Sequence, residues 1–299
     1  MTYSIVARDP NTGELGVAVQ SRWFSVGSVV PWAEPGVGAV ATQSFAEITY
    51  GPHGLDLMRE GASAQEALDT LMARDQHPEG RQVAIVDDRG RVAVHTGSKC
   101  VEAAGHVVGD GVSCQANMME RDTVWGAMLD TYGSARGDLP DRLMAAMRAA
   151  EGEGGDMRGR QSASLLIVGG ERAGRPWERK IDLRVEDHQD PVTELDRLLV
   201  MHRAFHLMDE GDQHALEGDI ARAAESYAGA GELLPDEDQV MFWRALTLAA
   251  GGKMDEAISL ANAARQRHPA WASFLRRVAA AGVIPDEPEL LEELMPLES

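Results

Sequence analysis

Strand-like and helix-like segments come in bunches along this chain, and that order restricts the fold more than any single motif does. An alternating run, Tyr3–Ala7, meets a turn of Asp9-Pro10-Asn11-Thr12-Gly13 and a second run, Leu15–Val19, which together read as a hairpin. Val26–Val30 and Val37–Gln43 follow as apolar strand candidates, separated by Pro31 and Pro35-Gly36. Two helices are predicted next, one over Gly54–Arg59 and one behind the capping box Ser63-Ala64-Gln65-Glu66. Gln82–Val86 and Arg91–His95 form a second predicted hairpin, with a further strand at Val112–Ala116. Helical patterns cover Val124–Tyr132 and Arg142–Ala150, the latter opened by Pro140, and strands at Ser162–Val168 and Glu178–Val185 close the set.

The order is four strands, two helices, three strands, two helices, two strands. Strands this apolar need cover on both faces, and a helix pair between each strand set supplies it. The predicted class is α+β, a four-layer α-β-β-α sandwich over residues 1–185. A doubly wound parallel sheet would need helices between single strands, and that alternation is absent.

Composition narrows the partners. The 299 residues are 44% hydrophobic, enough for a real core, and the net charge is −20. The surplus is uneven, with 25 acidic against 19 basic residues up to position 184 and 23 against 9 beyond it. Nucleic acid and anionic membranes both require clustered Lys and Arg, so neither is expected as a partner. No apolar run approaches membrane length and the N-terminus lacks a signal-peptide pattern, so a cytoplasmic protein is expected. Cys100 and Cys114 offer no metal spacing or disulfide framework. His95 and His106 lack a third ligand, and no metal or other cofactor is predicted. His202, His206 and His214 read as surface residues, and the acidic stretch from Asp286 to Glu298 as a solvated end.

Beyond a predicted linking helix in 186–208, the character changes. Gly218–Pro235 and Gly252–Pro269 align without a gap at a spacing of 34 residues, matching Ala223 with Ala257, Ala230 with Ala264, and Pro235 with Pro269. This resembles the tetratricopeptide repeat, although Met241-Phe242-Trp243 departs from its first-helix pattern. Residues 209–299 are therefore expected to be helical repeats with an acidic tail. Two repeats cannot bury their flanks alone, so they dock on the preceding helix or on a second subunit of a homo-oligomer. They serve either as packing or as a protein-binding groove within residues 209–270.

Thr2, directly behind the initiator methionine, carries a hydroxyl and, once Met1 is removed, a free α-amine at a sheet edge. It is either a nucleophile with its own base or a strand-starting β-branched residue. Ser4 would face the same side without the amine.

TYSIVARDPNTGELGVAVQSRWFSVGSVVPWAEPGVGAVATQ, YGPHGL, HTGSKC, CQAN and GGDMRGRQSASLL together resemble the N-terminal-nucleophile (Ntn) hydrolase superfamily. Within it they are similar to a bacterial family of unknown function (domain-of-unknown-function family 1028). The resemblance spans residues 2–168 and implies the four-layer fold without an established reaction. Across the superfamily a mature N-terminal Thr, Ser or Cys attacks an amide, its own amine taking the proton. That chemistry implies a small amide or short peptide derivative as substrate, with catalytic Thr2, Arg22 and Asn117.

Ser21 and Arg22 close the second strand. Gln20 stands where proteasome-type relatives carry an aspartate, so proteasome-like proteolysis is not implied. Arg22 either tunes the amine and anchors a substrate carboxylate or is a strand-end charge. Gln43 and Asn117 are candidate oxyanion donors at strand ends. Asp156 and Arg158 order a loop from which Gln161 or Ser162 reaches inward, or they form a structural ion-paired turn. His53, at a helix entrance, lines the pocket or caps a turn. The other reading of the whole chain is a non-catalytic binding or scaffold protein with the repeats as its partner site.

Overall fold

The computed structural model describes residues 2–172, 175 and 177–296. Contacts divide the chain into two units, one running to Arg197 and the other from Leu198.

In the first unit, β1 (Thr2–Arg8) and β2 (Leu15–Ser21) form the expected antiparallel hairpin. The Asp9 carboxylate accepts the Asn11 and Thr12 amides in the turn, and Gly13 supplies its left-handed residue. β3 (Pro31–Glu34) and β4 (Gly38–Ser44) follow. The segment predicted as a strand at Val26–Val30 is instead a 3-10 turn over Val26–Ser28, and the strand begins at Pro31, which had been read as a separator. Burial explains the misreading. Val26 and Val30 enter the core from a turn, so their apolarity carries no period of two.

α1 (Tyr50–Arg59) starts earlier than expected, with Pro52 in its first turn, and α2 (Ala64–Arg74) opens on the Ser63–Glu66 capping box. β5 (Arg81–Asp87), β6 (Val92–Thr96), β7 (Gly105–Gly109) and β8 (Val112–Asn117) make four strands where three were predicted. β7, missed because its side chains are only half covered, pairs with β8 around Asp110-Gly111. α3 (Val124–Ser134) and α4 (Leu139–Gly152, Pro140 in its first turn) precede β9 (Ser162–Val168) and β10 (Ile181–Val185).

Two sheets result, one ordered β10-β9-β2-β1-β8-β7 and one ordered β3-β4-β5-β6. They face each other, and their inner residues form one core in which Val6, Val17 and Val19 meet Ala39, Ala41, Ala84 and Val86. α1 and α2 cover the outer face of the smaller sheet through Val40, Val83 and Ile85. α3 and α4 cover the larger sheet.

Strand alternation makes the inner surface change character along its length. Val6 faces inward at one end of β1, Thr2 and Ser4 at the other. The same register brings Ser21, Gln43, Gln82, Gln115 and Asn117 to that polar end.

The second unit is helical. α5 (Pro191–Leu216) crosses the division, and α6 (Ile220–Leu233), α7 (Asp238–Ala250), α8 (Met254–Arg267), α9 (Trp271–Ala280) and α10 (Pro288–Leu294) follow. The 34-residue spacing has a structural counterpart. Gly218 and Gly252 both adopt left-handed backbone (φ 82° and 79°) before a helix. Ala223 and Ala257, Ala230 and Ala264, and Met241 and Leu275 are buried in pairs. The end expected to be solvated contains α10, whose Leu291 and Leu294 are buried in the helical core; Glu298 lies outside the described residues. Among the described residues, no helix is long and apolar enough to cross a membrane.

Candidate active site

Thr2 begins β1, flanked by β2 and β8, and pairs in register with Ser21 on one side and Asn117 on the other. Its Oγ1 lies 3.0 Å from Ser21 Oγ. Both residues line a cavity of about 520 Å³, whose other walls include Trp23, Val26, Val29, Val30, Gln43, Phe45, Ile48 and Arg158. A volume of this size is ordinary for a small-molecule site, which spans roughly 300–1,000 Å³. Met1, whose removal would expose the Thr2 amine, lies outside the described residues.

Behind Thr2 the polar end of the core is a linked amide network. Gln43 Nε2 and Asn117 Nδ2 both donate to Gln82 Oε1, at 2.8 and 2.9 Å, and both reach the Thr2 carbonyl, at 3.3 and 3.4 Å. Gln82 Nε2 in turn donates to Thr96 Oγ1 and to the Ala116 and Gly105 carbonyls. Ser4 Oγ donates to Gln43 Oε1 and accepts from Gln115 Nε2, both at 2.6 Å. Ser4 is fully enclosed, so only Thr2 of the two hydroxyls lines the cavity.

The oxyanion role expected for Gln43 and Asn117 thus meets a competing assignment. Their N–H groups hold the Thr2 backbone in place, which is a positioning task. Gln82 and Gln115 were missed. A signal was present in the repeated occurrence of Gln and Ser within otherwise apolar strands, but which of them meet depends on the pairing of two sheets.

The remaining predicted residues divide into three places. Asp156, 4% exposed, accepts the Arg22 amide at 3.0 Å and the Arg158 amide at 2.9 Å, and its carboxylate pairs with the Arg158 guanidinium at 3.2 Å. Asp156 therefore ties the 155–160 loop to the end of β2. Ser162 Oγ donates to the Trp23 carbonyl (2.5 Å) and accepts the Val26 amide (3.0 Å), fixing the segment that forms one cavity wall. Gln161 contributes its backbone carbonyl to the His188 amide.

Arg22 does not line the Thr2 cavity. It lines an adjoining polar one of about 790 Å³ with Arg160, Asp187, His188, Gln189 and Asp190. Arg158 borders both cavities. His53 lies apart, in a separate cavity with Tyr50, Asp75 and His77.

On the reverse face of β1, Tyr3 is buried and donates to Glu151, which also pairs with Arg160. Burial pushes the Tyr3 phenol well up, and the Glu151 charge adds to it. Burial likewise raises the Cys114 thiol, leaving it inert packing. Among the described residues, no group of three His, Cys, Asp or Glu side chains could hold a metal ion.

Backbone strain marks the same region. The non-glycine residues with left-handed backbone among the described ones are Ser25, Ser44 and Met118, at φ 57°, 70° and 58°. Ser44 directly follows Gln43 and Met118 directly follows Asn117. Such conformations cost about 1–3 kcal/mol each and gather at functional sites.

No curated protein matches the chain. A solved relative, the crystal structure of protein SPO2555 from Silicibacter pomeroyi, described as DUF1028, matches with a TM-score of 0.60 at 30% identity over 66% of this chain and 87% of that one. The model of the family of unknown function DUF1028 matches residues 2–195, which contain both sheets and the Thr2 cavity. The chain belongs to the DUF1028 family.

Proposed function

We propose that the first unit is an Ntn-type amidohydrolase on an α-β-β-α sandwich, with Thr2 as nucleophile, cleaving the C–N bond of a small amide or short peptide derivative. One observation carries this reading. The second residue of the chain places its hydroxyl on the floor of a cavity, beside a second hydroxyl, with its backbone clamped by two buried amides.

The chemistry follows from those positions. With Met1 removed, the neutral α-amine of Thr2 accepts the hydroxyl proton as Oγ1 bonds to the substrate carbonyl carbon. An α-amine titrates near ~8, so roughly a tenth of it is neutral at pH 7, and that fraction grows as pH rises toward 8. The tetrahedral intermediate collapses with loss of the C–N bond, and the ammonium returns its proton to the departing amine. Water, deprotonated by the same amine, then hydrolyses the Thr2 ester and restores the hydroxyl. Ser21 Oγ, 3.0 Å from Thr2 Oγ1, orients the nucleophile. Asn117 and Gln43 hold the strand end so that the reacting atom keeps its place.

For the second unit we infer tetratricopeptide-like helical hairpins, supported by the paired burial at 34-residue spacing.

The test is turnover of short acyl-amides and dipeptides by three variants, each with its N-terminus verified by mass. Thr2→Ala removes activity, Thr2→Ser keeps part of it, and a form that retains Met1 loses nearly as much as Thr2→Ala, because hydroxyl and amine act as a unit. Equal turnover by wild type and Thr2→Ala rejects the assignment.

A further inference from the structure

The two adjoining cavities differ in chemistry, and the difference describes a ligand. The Thr2 cavity is walled by Trp23, Val26, Val29, Val30, Phe45 and Ile48. Its rim is more apolar than a soluble surface requires. Of its lining residues, Trp23, Phe45 and Ile48 are 63%, 57% and 45% exposed. Open apolar side chains concentrated around one mouth mark an apolar ligand.

The adjoining cavity is lined by charged and polar residues, Arg22 among them. Its neighbouring arginines are already committed. Arg158 pairs with Asp156, and Arg160 pairs with Glu151 and Asp190. Arg22 has no ion-pair partner among the described residues, and its own backbone amide is fixed by Asp156, so the start of its side chain is held at the cavity. A guanidinium of this kind matches a carboxylate in bidentate fashion.

We propose that the site takes N-acyl amino acids with a medium-length apolar acyl chain, the acyl group in the Thr2 cavity and the amino-acid carboxylate on Arg22 in the adjoining one. This rests on the amidohydrolase reading for the position of the scissile bond. The amide then lies at Thr2, between the two cavities that Arg158 separates. Cleavage forms the Thr2 acyl ester and releases the amino acid, whose new amine takes the proton held by the α-ammonium. Water then frees the fatty acid.

Binding separates this inference from the reading beneath it. The full-length Thr2→Ala protein is titrated calorimetrically with N-octanoylglycine, N-octanoylglycine methyl ester and N-acetylglycine. The acid is expected to bind at least tenfold more tightly than its ester, and Arg22→Ala in the same background is expected to abolish that preference. Arg22→Lys should restore part of it, since the charge returns without the fork. Lengthening the acyl chain from acetyl should tighten binding about fourfold per methylene, the equivalent of ~0.8 kcal/mol, until the cavity is full. Equal binding of acid and ester, no gain with chain length, or no binding of any probe overturns the ligand class. Turnover by the Met1-free wild-type protein is read separately. Tight binding of N-octanoylglycine without turnover removes the hydrolase and keeps the ligand. Indifferent cleavage of N-acetylglycine and N-octanoylglycine keeps the hydrolase and removes the ligand.

Discussion

Gln82 and Gln20 are both fully buried strand glutamines, yet the same substitution is expected to move stability in opposite directions. Gln82 lies between the sheets and accepts from Gln43 and Asn117 while donating to Thr96 and to the Ala116 and Gly105 carbonyls. Gln20 lies on the reverse face of β2, paired with Tyr3 and Ala163, and neither atom of its amide has a hydrogen-bond partner among the described residues. Methionine keeps the unbranched shape and approximate volume of glutamine, so packing is nearly conserved in both variants. Gln82→Met leaves Asn117 Nδ2 with only a 3.4 Å contact to the Thr2 carbonyl, and Gln43 Nε2 with contacts of 3.3 and 3.4 Å. At about 1–3 kcal/mol for each buried group left unsatisfied, two weakened donors give a loss of about 3 kcal/mol. For a unit of this size that corresponds to a fall in Tm of roughly 6–12 °C. Gln20→Met removes a buried amide that gains nothing, and stability should rise by up to about 1 kcal/mol or stay level. Scanning calorimetry of the full chain, with hydrogen exchange of β1 and β8 assigning the transition, measures both. Similar losses in the two variants would refute the claim that the intersheet amide network, rather than glutamine burial as such, holds the Thr2 end together.

Three further outcomes follow from the same structure. Arg81 and its hydrogen bonds hold the Asp75 carboxyl down at about 2; such a depressed group stabilises the fold above its ordinary value near 4, and the contribution disappears as pH falls from about 4 to 2. The stability gap between wild type and Asp75→Asn should therefore close over that window, as read by denaturant titration at each pH. Asp156→Ala leaves the Arg158 guanidinium and two backbone amides without their acceptor, and should cost about 2–3 kcal/mol and speed amide exchange in residues 155–160. A chain ending after residue 200 should unfold cooperatively, whereas one ending after 190 loses buried Val192 and Leu195 and should melt lower.

Local chemistry was legible wherever a few neighbouring residues decide the outcome. The Ser63–Glu66 capping box, the Asp9 turn and Pro140 in the first turn of α4 all stand where the residues imply. The 34-residue spacing was equally readable, since a repeated helix pair buries the same small residues twice. Val26–Val30 and β7 were not, because burial in one and partial exposure in the other are set by tertiary packing. The candidate site was half legible. Thr2, Ser21, Gln43 and Arg158 could be named from motif and strand ends, and they line one cavity. Arg22 and His53 lie in other cavities because strand-end direction and helix placement set where a side chain points. Gln82 and Gln115 were overlooked because nothing local tells a strand which sheet it will face.

Acylation of the N-terminus tests the account most directly. The protein is incubated with a β-lactone, a strained acyl donor that transfers its acyl group without a leaving amine, and its N-terminal peptide is mapped by mass. The spectrum should show a chain beginning at Thr2, carrying one added lactone on that residue, and no adduct in Thr2→Ala. An unmodified peptide with a free Thr2, or an adduct that persists in Thr2→Ala, would contradict Thr2 as the nucleophile.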